Sequence, residues 1–116
     1  MDKVQIRADE RDDALVLHLN GDAGVEQADE LDRQLRACLL IKRALIVLEC
    51  SGLTFLSSVS LGVLLRFRKE IIDAGGKLAL AALKPIVHES LRRAGLHQIF
   101  ALYDDVESAI KSAANP

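Results

Sequence analysis

Hydrophobic and polar positions alternate at the start of the chain and then settle into longer periods. Val4 and Ile6 alternate with polar neighbours and predict a short strand. The charged run Asp9-Glu10-Arg11-Asp12-Asp13 reads as the turn that follows it. Leu15, Leu17 and Leu19 then predict a half-buried strand ending at Asn20-Gly21, close enough to the first to form an antiparallel hairpin. From Glu26 to Leu40 the leucines at 31, 35 and 39 recur at fours, which predicts an amphipathic helix. Ala44 to Leu48 is a continuous apolar run with β-branched members, the pattern of a strand covered on both faces. Ser51 to Phe55 reads as a loop, and a second helix is expected from Ser58 to Asp73, ended by Gly75-Gly76. A further buried strand is expected over Leu78 to Leu83. Pro85 opens a third helix that runs to about Ala94. A short strand at Phe100-Ala101-Leu102 and a last helix near Val106 to Ala113 complete the order.

Strands alternating with helices imply right-handed crossovers and an α/β fold. The expectation is a mixed, mostly parallel sheet of about five strands with about four helices, in one domain over residues 1–116. In such sheets partners and ligands meet the carboxyl ends of the strands. That directs attention to the connection between the strand at Ala44 to Leu48 and the second helix.

Composition narrows the functional classes. Half the residues are hydrophobic and 28% are charged, which excludes a disordered chain. The net charge of −2, from 15 basic and 17 acidic residues, argues against nucleic acid as a partner. Aromatics make up only 3%, too few for stacking platforms. The first seven residues include Asp2, Lys3 and Arg7 where a signal peptide is apolar, and no apolar run is long enough for membrane insertion. A cytoplasmic location is therefore expected. Cys38 and Cys50 lack zinc spacing and are read as reduced core residues.

Catalytic patterns are thin. His18, His88 and His97 are far apart in the sequence, and none neighbours a plausible nucleophile. The pairs Asp12-Asp13 and Asp104-Asp105 suit a turn and a helix start, where carboxylates complement the helix dipole. No enzyme, cofactor or metal is expected. Arg68 falls within the helical arc of Leu61, Leu64, Leu65 and Ile72. Either its stem runs past the core edge or its head meets a partner's carboxylate.

The segment Thr54 to Leu65 carries three serines, Ser57, Ser58 and Ser60, at the start of the second helix. Capping accounts for one of them. A modification switch is the other reading. A phosphate adds about −1.5 to −2 charges, and a helix start tolerates them.

Two stretches carry a resemblance. Leu45-Ile46-Val47-Leu48-Glu49-Cys50-Ser51-Gly52-Leu53-Thr54-Phe55-Leu56 resembles the strand and loop of STAS domains, which read apolar residues, Asp-Leu-Ser-Gly-Val, then Phe and an aliphatic. Ser57-Ser58-Val59-Ser60-Leu61-Gly62 stands where that family has Asp-Ser-Ser-Gly-Leu-Gly, and Leu19-Asn20-Gly21 resembles its Leu-x-Gly. The element order matches from end to end.

The resemblance implies an anti-sigma factor antagonist that binds a serine kinase doubling as an anti-sigma factor. It also implies release by serine phosphorylation and restoration by a PP2C-type phosphatase. Val59 occupies the usual acceptor position, so the resemblance transfers the phosphoacceptor to Ser58, with Ser57 and Ser60 as weaker candidates. One residue of shift turns the hydroxyl by about 100° around the helix. Asp22, Gly24 and the run Ser57, Ser58, Val59, Ser60 and Leu61 are the implied partner-binding residues. The alternative is a STAS docking subunit of a transport or stress-signalling scaffold complex, without a switch.

Overall fold

The computed structural model describes residues 3–11 and 13–114. Its strands are β1 (Gln5–Arg11), β2 (Ala14–Ala23), β3 (Leu45–Leu56), β4 (Lys77–Ala81) and β5 (Ala101–Tyr103). Its α-helices are α1 (Ala28–Cys38), α2 (Ser58–Asp73), α3 (Pro85–Arg93) and α4 (Val106–Ala114). One sheet runs in the order β1-β2-β3-β4-β5; β1 is antiparallel to β2 and every other pair is parallel.

Alternation along the strands divides the core into two layers. Leu15, Leu17 and Leu19 of β2 and Ile46 and Leu48 of β3 face α1, α2 and α3, meeting Leu31, Leu35, Leu64, Phe67 and Leu91. Ala14, Val16, Leu45, Val47, Ala79 and Ala81 face the other way, onto Val106 and Ala109 of α4. Each fully buried leucine contributes roughly 1.5–3 kcal/mol relative to exposure, so the middle of β2 and β3 anchors the fold.

The helix ends follow local chemistry. Gly75 adopts φ 87°, and its N–H and that of Gly76 bond the carbonyls of Ile72 and Ile71, closing α2. Asp105 accepts the Ser108 N–H at 2.8 Å and caps α4, the helix-start role expected of that carboxylate.

Several expected boundaries move. Asp9, Glu10 and Arg11 belong to β1 rather than to a turn, because alternate charged side chains reach solvent from an edge strand. Asp13 remains in the turn, and Asp12 lies outside the described residues. β2 does not stop at Asn20-Gly21 but continues to Ala23, and β3 continues through the stretch expected as a loop to Leu56. These two extensions hold each other: Asn20 pairs with Gly52, Gly21 with Leu53, Asp22 with Phe55 and Ala23 with Leu56. The first helix is shorter than expected, with a 3-10 turn at Val25–Gln27 before α1. β4 ends at Ala81, before Ala82 turns to φ 60°, and β5 is displaced by one residue to Ala101–Tyr103.

Candidate functional site

β2 and β3 leave the sheet side by side and deliver two connections to one place. Three hydrogen bonds join them. Thr54 Oγ1 donates to the Gly21 carbonyl at 3.1 Å, the Ser57 N–H to that of Ala23 at 3.0 Å, and Ser60 Oγ to that of Gly24 at 3.4 Å.

The three serines have different surroundings. Ser57 has extended backbone, and its Oγ accepts the Ser60 N–H at 3.1 Å, making it the N-cap of α2. It is 7% exposed, and Ser60 is fully buried. Ser58, the first residue of α2, is exposed. The first helical bond runs from the Leu61 N–H to the Ser57 carbonyl, so the Ser58 and Val59 amides lie ahead of the helical ladder.

The other expected partner-binding residues also separate. Val59 is 50% exposed, whereas Leu61 is 4% exposed and packs into the core cluster. Asp22 is half-buried and Gly24 buried. A Cβ on Gly24 would stand 3.1 Å from Asp22 Oδ1 and 3.3 Å from Glu26 Oε2, so two carboxyl groups flank that glycine. Two further residues present apolar surface on these connections, Val25 at 61% and Phe55 at 40% exposure. Neither is singled out by the sequence pattern. Phe55 lies two residues from the buried Leu53, and simple alternation would place both inside. The register shift between Gly21 and Asp22 adds a residue to β3 and turns Phe55 outward.

Below this end of the sheet, His18 Nδ1 donates to Glu49 Oε1 at 2.8 Å, and Glu49 Oε2 accepts the Ser51 N–H at 2.8 Å. Burial works against the Glu49 charge, but the bonds from Ser51 and His18 outweigh it and hold the carboxyl below its ordinary range. The pair joins β2 to β3 just before the first register shift.

Cys50 is in the core, and burial, assisted by the Glu49 carboxylate, pushes its thiol up to about 12. Cys38 is half-buried, and both cysteines are free. Arg68 is half-buried on α2. Among the described residues, no group of three or more His, Cys, Asp or Glu is placed to hold a metal ion. Among the same residues, no helix is long and apolar enough to cross a membrane.

Comparison with known proteins gives consistent matches. The STAS domain family model matches residues 5–109. The anti-sigma F factor antagonist of Paenibacillus polymyxa is 30% identical over 108 residues, which is 92% of each chain. Among solved structures, an anti-sigma factor antagonist from Mycobacterium paratuberculosis superposes with a TM-score of 0.87 at 21% identity, covering 98% of this chain and 97% of that one. The Bacillus cell fate determinant SpoIIAA in its phosphorylated form gives 0.69 at 16% identity, covering 94% and 99%. At those identities the two structures speak for the fold.

Proposed function

The chain belongs to the STAS domain family, and from that premise we propose an anti-sigma factor antagonist switched at Ser58. Its partner is an anti-sigma factor that is also a serine kinase. A PP2C-type phosphatase reverses the modification. The observation that carries this reading is the separation of the three hydroxyls. Ser57 and Ser60 are spent on capping α2 and tying it to Gly24, while Ser58 is exposed between Ser57 and the exposed Val59.

The chemistry supports a veto on docking without unfolding. A phosphate on Ser58 adds about −1.5 to −2 charges beside amides that have no helical acceptor, at the positive end of the helix dipole. The domain therefore keeps its fold. A partner seated over Val25, Phe55 and Val59 would instead meet a dianion inside an apolar contact, next to Asp22 and Glu26. A surface of this kind suits a partner bringing apolar and basic groups.

Incubation with anti-sigma kinases of the same genome and ATP, followed by phosphopeptide mapping, tests the assignment. Label on Ser58, absent from Ser58→Ala, is the expected result. Label on Ser57 or Ser60 would overturn it. The exposed Val59 at the usual acceptor position favours the second reading, a docking module with no switch. Undiminished partner binding by Ser58→Asp, with no label on the wild type, would select that reading.

A further inference from the structure

β1 is an edge strand, yet part of its outer edge is already paired by side chains. The Ile6 N–H donates to Gln34 Oε1 at 2.8 Å, and Gln34 Nε2 donates to the Val4 carbonyl at 3.2 Å. The carboxamide thus supplies one acceptor and one donor to residues two apart, as a neighbouring strand would. Gln27 Oε1 accepts the Val4 N–H at 3.2 Å, extending the cover by one group. Gln34 is itself held from its own helix, donating to Glu30 Oε2 at 2.7 Å.

These bonds reveal which backbone groups face outward. The Ile6 N–H points away from β2, so Ile6, Ala8 and Glu10 present their outer groups while Arg7, Asp9 and Arg11 bond to β2. An antiparallel pair of two such edges with its twofold at Ala8 would set Ile6 against Glu10 and Arg7 against the partner's Asp9, twice. Those charged residues would form the non-hydrogen-bonded pairs, in which side chains approach most closely. Centring the twofold on Arg7 or on Asp9 sets like charges across the axis. The self-complementary register needs the Ile6 N–H, and Gln34 occupies it.

We propose that the β1 edge is a docking edge for a second copy of this chain, kept closed by the Gln34 carboxamide. The edge is independent of Ser58, which lies at the start of α2. Removing the amide frees the Ile6 N–H, and the edge from Ile6 to Glu10 is then completed by another β1.

The test is sedimentation equilibrium of the full chain over a range of concentrations, with amide exchange read at Ile6 and Ala8. In the wild type, Ile6 is expected to exchange more slowly than Ala8. Gln34→Ala is expected to dimerise at least about tenfold more tightly than the wild type, with Ala8 becoming protected as concentration rises. Adding Arg7→Asp to that variant sets two carboxylates against each other, the new one and that of the partner's Asp9, and is expected to restore the monomer. Arg7 is exposed on the edge strand, so this second change leaves the fold intact. A folded Gln34→Ala no more associated than the wild type would overturn the proposal. So would a dimer indifferent to Arg7→Asp.

Discussion

The two halves of β3 differ in rhythm and in purpose. In the lower half, Ile46, Leu48 and Cys50 face the core at intervals of two, as a regular strand requires. In the upper half the inward residues are Leu53 and Leu56, at intervals of three. β2 runs beside it without a break in its own alternation, so both extra residues belong to β3. The lower half is buried by helices on both faces, while the upper half exposes Ser51, Thr54 and Phe55. Bulges next to functional ends re-aim side chains. Here they turn Phe55 outward and bring Ser57 and Ser58 to the mouth of the β2 connection.

Substitutions should divide the same way. Leu48→Ala, in the lower half, is expected to cost roughly 2–5 kcal/mol in urea unfolding, because the site is fully enclosed. Phe55→Ala, seven residues on, is expected to cost less than about 1 kcal/mol while weakening partner capture. Equal losses of stability would erase the distinction between the halves.

Gly52→Ala probes the first bulge directly. The added Cβ would lie 1.8 Å from Asn20 Oδ1 and 3.1 Å from the Leu19 carbonyl. A loss of about 1–3 kcal/mol is expected, much of it recovered in the double variant with Asn20→Ala. No recovery would mean that the backbone, not Asn20, sets the fit.

The serines give a finer contrast. Ser57→Ala removes the α2 cap and is expected to cost about 1 kcal/mol. Ser58→Ala is expected to stay within about 0.5 kcal/mol of the wild type.

The smallest effect concerns surface carboxylates. Arg33 and then Gln34 hold Glu30 at about 2, and Arg92 holds Glu89 at about 2, against an ordinary 4.5. Because the folded values are depressed, their contribution is complete above about 4.5 and disappears as pH falls towards 2. Comparing the wild type with a Glu30→Gln, Glu89→Gln variant across that window should show a small difference that added salt shrinks.

These contrasts also explain what is legible in the sequence. The lower half of β3 is visible because Leu45 to Leu48 is an unbroken apolar run, and the serine cap and glycine stop of α2 place it from Ser58 to Asp73. The upper half of β3 is hidden. Ser51-Gly52 resembles a turn when read alone, and only the pairing of Asn20 with Gly52 makes it strand. At the site, the sequence brings the three serines together but does not rank their exposure. That ranking depends on the carbonyls of Ala23 and Gly24, which the fold brings from another segment. The resemblance groups Leu61 with the partner-binding residues, but its place in the apolar arc with Leu64 sends it into the core.

The most direct measurement is to phosphorylate Ser58 and record, on the same sample, the affinity for the anti-sigma partner and the urea midpoint. A loss of affinity of at least about tenfold is expected, with a midpoint close to that of the unmodified protein. Unchanged affinity, or a midpoint that falls in step with binding, would contradict it.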